Sequence, residues 1–360
     1  MQQKICVYAI CKNEEAFVQR WYNSMSEADY IVVLDTGSTD NTVSLLTQCG
    51  VTVQQKIISP WRFDVARNES LKLIPSDTTI CVCTDLDEVF RPGWAQQFKD
   101  QWEEGLDRIR YTFIWNWVND KPGVQFLYEK SHTYGTHHWE HAVHEILLPN
   151  EPHEERKKDV PSIVLEHHAD PLKSRSNYLP LLELDVSERP NDDRARHYYA
   201  RELMFHGEYQ KAIEQFKIHL SLPSATWEAE RATSMRYIAK CSTSWDEKEK
   251  WLYRAIAEAP YLREPLMDMA FLQYKQENWH GVIYFVQKAL NIKINQGWYV
   301  NDPSAWNELP YDLLSIAYFN LHDFHQAKQY CEKALEINPN DKRIITNYHL
   351  IRGKEQNDKI

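Results

Sequence analysis

I-V-V-L-D-T-G-S-T-D-N-T, residues 31–42, is the stretch whose reading decides the fold. Four apolar residues in succession, three of them β-branched, suit a strand buried on both faces. Asp35 closes that run, Gly37 permits a tight turn, and Ser38, Thr39 or Asp40 can cap a helix beginning near Asn41. The same alternation recurs on either side. Lys4–Ile10 is a compact apolar run, followed by helical spacing over Asn13–Ser24 with Ala16, Phe17, Trp21 and Tyr22 on one stripe. Val51–Ile58 is strand-like, Asp64–Ile74 helical and Thr78–Thr84 strand-like, ending in D-L-D-E at 85–88. This order predicts an α/β domain with a doubly wound, mostly parallel sheet covered on both faces. Ligands of such sheets bind beyond the carboxyl ends of the strands, and both acidic turns fall there.

From about residue 190 the pattern becomes continuous helix. Aromatic residues recur as Tyr209, Trp245, Trp279 and Phe324, at spacings of 36, 34 and 45. Ten residues after each of the last three stands an alanine: Ala255, Ala289 and Ala334. A period near 34 with these anchors is similar to tetratricopeptide repeats, which are stacked helix pairs. The long third spacing absorbs an insertion, Asn295–Pro310, expected as an exposed loop. Two domains are therefore expected, 1–185 and 186–360, which agrees with a chain of 360 residues.

Composition excludes several classes. The apolar fraction of 43% and charged fraction of 26% are those of a globular protein with a full core, not of a disordered chain. No apolar stretch approaches the roughly 18–20 residues that span a bilayer. The start, M-Q-Q-K-I-C-V-Y-A-I-C-K-N-E-E, lacks the h-region and cleavage site of a signal peptide and reads as a first strand, which places the chain in the cytoplasm. Seven cysteines are scattered; Cys81 and Cys83 share a strand face but no second pair stands at zinc-finger spacing, so they read as buried thiols. The net charge of −11 is concentrated in residues 1–170, which hold 16 Lys+Arg against 26 Asp+Glu; the remainder holds 25 against 26. Such a surface repels phosphate backbones and argues against nucleic acid as a partner.

The D-L-D-E turn carries the most chemistry. Carboxylates one residue apart at a strand end can both reach a divalent cation, and Mg²⁺ or Mn²⁺ is commonly held by one or two carboxylates plus substrate phosphates. Alone the pattern is weak, because acidic turns are common. Its meaning changes with D-T-G-S-T-D one β-α-β unit upstream.

Together, V-L-D-T-G-S-T-D-N-T (33–42), F-D-V-A-R-N-E-S-L (63–71) and D-L-D-E (85–88) resemble the family 2 glycosyltransferases of the GT-A fold, in order and spacing over residues 1–170. H-A-V-H-E-I-L (141–147) and L-E-H-H-A-D (165–170) are similar to the V-H-E and late-histidine segments of one branch, which includes enzymes with tetratricopeptide-like C-terminal domains: S-glycosyltransferases of glycocin peptides and bacterial glycan-assembly enzymes. The resemblance implies a UDP-sugar donor, a Mn²⁺ or Mg²⁺ cofactor and a single inverting displacement. It implies that Asp35 contacts the uracil, that Ala9 at the end of the first strand borders the base, and that Arg67 and Asn68 line the donor pocket. It makes Asp87 the metal ligand and Asp85 a ribose or metal contact. Arg67 could neutralise diphosphate oxygens or simply pair with Asp64 on its own helix. Glu88 reads either as a partner orienting Asp87 or as solvated.

An inverting transfer needs a base for the acceptor hydroxyl or thiol. Candidates lie in H-H-W-E-H-A-V-H-E (137–145), where H-E-x-x-H is absent, so a zinc hydrolase is disfavoured. If this run is one strand, His144 and Glu145 face opposite sides. The resemblance sets this pair beside the acceptor and favours Glu145 over His144 as the base. The resemblance makes His167 or His168, one of them facing inward, the late histidine expected to complete metal coordination. Trp115 and Trp117 alternate on a strand expected at Arg110–Val118, facing one side with Phe113 as core or as a sugar platform.

Two other classes compete. A repeat protein with a relic N-terminal domain is opposed by the intact motifs. A nucleotidyltransferase would carry a glycine-rich loop after the first strand, where C-K-N-E-E has none. The helical half is expected to bind a peptide, protein or glycan acceptor, or to form a homodimer through Trp227, Trp298 and Trp306, or only to buttress the first domain.

Overall fold

The computed structural model describes residues 3–118, 121–169 and 178–357. Two compact units divide the chain: Met1–Glu188 together with Gly297–Tyr299, and Arg189–Gln296 together with Val300–Ile360.

The first unit begins β1 (Ile5–Cys11), α1 (Val18–Met25), β2 (Tyr30–Asp35), α2 (Thr42–Gln48), β3 (Thr52–Gln55), α3 (Phe63–Leu71) and β4 (Ile80–Cys83). It continues β5 (Glu88–Phe90), α4 (Trp94–Gln101), β6 (Arg108–Ile114), β7 (Trp117–Val118), β8 (Lys121–Pro122), β9 (Gln125–Tyr128), β10 (Ser131–Thr133), β11 (His137–Glu140), β12 (Ile146–Pro149), β13 (Lys157–His167) and α5 (Tyr178–Glu188). The main sheet has the order β10-β4-β1-β2-β3, its first four strands in the chain parallel and β10 antiparallel at the edge. β1 lies in the middle and every residue of it is buried. Its alternate side chains divide between two cores: Val7 and Ala9 pack with Trp21, Leu46 and Val82, while Cys6 and Tyr8 pack with Cys81, Cys83 and Trp139. The C-x-C thiols are accordingly core, and every cysteine is free. Trp21 is wholly buried and its indole N–H donates to Thr84 Oγ1 at 3.0 Å, which fastens α1 to the turn after β4.

A second sheet, β5-β13-β6-β9, pairs β13 antiparallel with β5 and parallel with β6. The single strand expected at Arg110–Val118 is broken. Asn116 turns the chain, its side-chain oxygen accepting from Val124 N at 2.7 Å, so β6 stops at Ile114. Phe113 is therefore core, Trp115 is exposed, and Trp117 stacks on His168 with ring centres 5.8 Å apart.

The second unit is helical: α6 (Asp193–Phe205), α7 (Tyr209–Ser221), α8 (Glu228–Cys241), α9 (Trp245–Glu258), α10 (Glu264–Lys275), α11 (Trp279–Asn291), α12 (Leu309–Asn320), α13 (Phe324–Ile337) and α14 (Lys342–Asn357). Four helix pairs precede α14. Tyr209, Trp245, Trp279 and Phe324 are each the first residue of the second helix of a pair, and Ala255, Ala289 and Ala334 are fully buried. Small buried residues there let the helices approach. The tryptophans expected as exposed anchors are not: Trp227, Trp298 and Trp306 are half-buried. Trp306 lies under the Arg263 guanidinium at 3.8 Å and donates its N–H to Glu264 at 3.1 Å. The exposed aromatics of this unit are Phe205, Tyr209, Trp245, Tyr253, Phe271 and Tyr284.

Two residues before three of these anchors the chain turns through positive φ, at Gly207 (78°), Glu277 (56°) and His322 (61°). Only at Gly207 is the left-handed conformation free of Cβ strain. Glu277→Gly is expected to raise unfolding stability by about 1 kcal/mol, measured by urea denaturation; a loss of stability would mean the carboxylate contributes more than the strain costs.

Candidate active site

In parallel strands the carboxyl ends share one edge, so Cys11, Asp35 and the turn after Cys83 come together. Asp35 is wholly buried and organises its own turn. Its carboxylate accepts from Gly37 N (3.2 Å), Ser38 N (3.1 Å) and the Ser38 hydroxyl, with Gln55 Nε2 at 3.4 Å. Burial opposes its charge, but the Ser38 and Gly37 donors outweigh burial and hold its carboxyl below the ordinary range. Asp40 precedes α2 and accepts from Thr42 N, the first amide of that helix, at 3.0 Å.

This corrects two expectations. Asp35 is closed off by the turn it builds, so its side chain shapes the loop and offers a base no free surface. Ala9 does not end β1, which runs to Cys11, and it is fully buried in the core. Asn68 is a clamp of a different kind. Its amide donates to Trp139 O and accepts from Trp139 N, both at 2.8 Å, mimicking a strand neighbour and locking α3 onto β11.

Arg67 is the hub. It is 3% exposed, and its guanidinium donates to Asp85 Oδ1 (2.8 Å), to Glu145 Oε1 and to Cys83 Sγ (3.1 Å). The Trp139 ring lies 5.2 Å away. Neither expectation for Arg67 describes this: Asp64 pairs with Arg62 instead, at 2.9 Å, and the Arg67 guanidinium is engaged by two carboxylates. Burial disfavours the cation, yet Asp85 and Glu145 raise its proton affinity well above ordinary. Asp85 is held well below the usual carboxylate range, because Arg67 and Lys130 outweigh its burial. Lys130 Nζ stands 3.2 Å from Asp85 Oδ2 and 4.9 Å over the Tyr128 ring. Sequence reasoning missed Lys130; its one signal is a lone lysine closing the aromatic run F-L-Y-E-K (126–130).

Glu88 is buried, not solvated. It accepts from Asp85 N at 2.9 Å rather than orienting Asp87. Burial and the charges of Asp85 and Asp87, opposed by Lys130, push its carboxyl up to about 7.

Asp87 and His167 form a pair. The antiparallel register sets His167 opposite Glu88, and His168 N donates to Asp87 O at 2.9 Å. His167 Nδ1 is 2.8 Å from Trp115 O, which makes it the donor and aims Nε2 at Asp87 Oδ2, 3.5 Å away. Burial lowers the proton affinity of that imidazole, but Asp87 and the Trp115 carbonyl outweigh it and raise it. A histidine with one ring nitrogen fixed by a carbonyl and the other aimed at a carboxylate is the arrangement of a metal ligand. His168 turns away, 3.2 Å from Glu166 Oε2. Of the four expected ligands, Asp87 and His167 come together; Asp85 is engaged by two cations and His168 faces elsewhere. Asp170, in the same motif, lies outside the described residues.

β11 ends at Glu140, so 141–145 is a loop and the expected alternation of faces does not apply. His141 (φ 78°) and His144 (φ 55°) bracket it in the left-handed region, strained backbone of the kind found at functional loops. His141 Nδ1 is 3.8 Å from Asp185, which accepts from Ala142 N at 2.9 Å. His144 packs edge-on to Tyr178, ring centres 5.6 Å apart. Glu145, not His144, is drawn to the carboxyl edge, through Arg67.

Residues 6–145 match the family described as glycosyl transferase family 2, and residues 316–341 match the tetratricopeptide repeat. The first unit thus resembles a family 2 glycosyl transferase domain, and a helical repeat region follows it. No curated protein matches it. Among solved structures it is similar to the APC/C hetero-tetramer Cut9–Hcn1 (15% identity, 50% of this chain, TM-score 0.40), of which it spans only 33%. A thermophilic TPR protein of Thermus thermophilus gives 16% identity over 48% of this chain and 88% of that one, TM-score 0.33. Glucosyl-3-phosphoglycerate synthase from Mycobacterium tuberculosis, solved with Mn²⁺, UDP and glucosyl-3-phosphoglycerate, gives 24% identity over 31% of this chain and 44% of that one, TM-score 0.26. These likenesses are distant. Among the described residues no helix is long and apolar enough to cross a membrane.

Proposed function

We propose that the first unit is a metal-dependent, inverting glycosyltransferase that uses a UDP-sugar. The observation that carries this reading is Arg67, whose buried guanidinium joins Asp85 of the D-L-D-E turn to Glu145 of the H-E segment in one ion-paired unit. Asp87 and His167 would together hold Mn²⁺, which accepts an imidazole beside a carboxylate, and Asp87 alone would serve Mg²⁺. The chemistry the pair would gain from such an ion is positive charge against the departing diphosphate.

Glu145 is the base. One of its oxygens is held by Arg67, and a carboxylate keeps further lone pairs for the acceptor proton. The acceptor oxygen or sulfur bonds to the anomeric carbon, the bond from that carbon to the phosphate oxygen breaks, UDP leaves with the electron pair, and the proton passes to Glu145. Arg67 and Asn68 act as positioning residues, the first on Asp85 and Glu145, the second on the β11 backbone. Asp35 shapes the loop that borders the nucleotide. The helical half is assigned to recruitment of a peptide, protein or glycan acceptor, which its near-neutral charge and exposed aromatics support; a cytoplasmic setting accords with free thiols throughout.

The test is a donor panel with the full chain. UDP-sugars with Mn²⁺ are expected to give UDP release, by acceptor transfer or slow hydrolysis. Equal turnover of CDP- and GDP-sugars would overturn the uridine assignment.

A further inference from the structure

The helical half buries a polar cluster that glycosyl transfer does not use. His197 on α6, His219 on α7, and Glu230 and Ser234 on α8 are all 5% exposed or less. Ser234 Oγ stands between the imidazoles, 2.8 Å from His197 Nδ1 and 3.0 Å from His219 Nδ1. The other nitrogen of His219, Nε2, is buried and has no hydrogen-bond partner among the described residues. Leaving such a nitrogen unsatisfied in a core costs about 1–3 kcal/mol.

What faces it is Glu230 Oε1, at 3.4 Å. That separation is long for a hydrogen bond. It matches the N···O edge of a tetrahedron, about 3.3 Å for metal–ligand bonds of about 2.0–2.1 Å. One nitrogen from each histidine and one Glu230 oxygen lie within 4.8 Å of one another, a grouping of three ligating side chains that recurs nowhere else among the described residues. Ser234 then supplies what metal-bound imidazoles regularly have, a hydrogen-bond partner on the opposite ring nitrogen.

We propose that His197, His219 and Glu230 bind a divalent transition-metal ion, zinc by preference, inside the repeat region. Two imidazoles and one carboxylate suit zinc rather than Mg²⁺ or Ca²⁺, which take all-oxygen shells. Three side chains leave the fourth tetrahedral position to one enclosed water, and an ion buried among three helices is structural. It ties α6 and α7 to α8, and so the first helix pair to the second, where each repeat otherwise depends on its neighbour alone. This site is independent of the glycosyl transfer reading and of the Asp87–His167 pair.

The test uses the full chain, stripped with a chelator and reloaded with Co²⁺ and then Zn²⁺. One equivalent of cobalt is expected to give the intense visible bands of a tetrahedral ion, bleached by zinc; an ion at Asp87 and His167 with water ligands gives only weak ones. Zinc is expected to raise the thermal midpoint of the helical half by several degrees, and His219→Gln and Glu230→Gln to remove both effects. Absence of tetrahedral cobalt bands in the unaltered chain would overturn the proposal, with no variant needed. So would bands that survive unchanged in both variants.

Discussion

Asp87→Ala is expected to abolish sugar transfer while leaving the protein folded. Asp87 Oδ2 faces His167 Nε2 at 3.5 Å, in the turn between β4 and β5. The cation these two would hold contributes several kcal/mol to stabilising charge on the leaving diphosphate. At 1.36 kcal/mol per tenfold, that is a loss of about three decades in turnover. The fold is expected to survive because the neighbouring pairing runs through the backbone, with Asp87 O accepting from His168 N at 2.9 Å, which alanine preserves. His167→Gln leaves Asp87 in place and is expected to weaken Mn²⁺ binding by about 10–100-fold. Mn²⁺ titration calorimetry and UDP release with and without EDTA check both. Turnover near the unaltered level in Asp87→Ala, or with EDTA present, would remove the metal from the mechanism.

Much of this was legible because the signals are local. Apolar runs buried on both faces marked β1, β2 and β4; Gly37 and Asp40 marked the turn; and the repeat anchors at Tyr209, Trp245, Trp279 and Phe324 each begin a helix. What was not legible is set by long-range pairing. Nothing near Arg67 in the chain says that its partners are Asp85 and Glu145 rather than Asp64; the packing of α3 against the strand ends decides it. His167 is chosen over His168 by the β5–β13 register, in which one step turns a side chain to the opposite face. Alternation misled where a strand ended early: β11 stops at Glu140 and β6 at Ile114, so His141–Glu145 and Trp115–Trp117 do not follow the two-residue period. Lys130 was overlooked because a lysine in sequence reads as surface, and only the folded chain supplies the carboxylates that let it be buried.

Arg67→Ala is expected to damage both stability and catalysis, and the pattern across three variants separates the two. Removing the guanidinium leaves Asp85 with Lys130 alone and strips Glu145 of a buried partner. Breaking a buried ion pair from one side costs about 3–5 kcal/mol, so urea denaturation should detect it at once. Arg67→Lys restores a charge but not the planar fork that spans two carboxylates. It should recover part of the stability while turnover stays at least about tenfold down, because one of Asp85 and Glu145 is released. Glu145→Gln completes the set: its amide oxygen still accepts from Arg67, so stability should fall less than in Arg67→Ala, but it cannot take the acceptor proton. Its turnover should fall by about 10²–10⁴-fold, with UDP binding by calorimetry unchanged. Full activity in Arg67→Lys would mean that Glu145 needs no guanidinium to hold it. Full activity in Glu145→Gln would assign the proton to another group, and His144, its neighbour on the same strained loop, would be the next residue to replace.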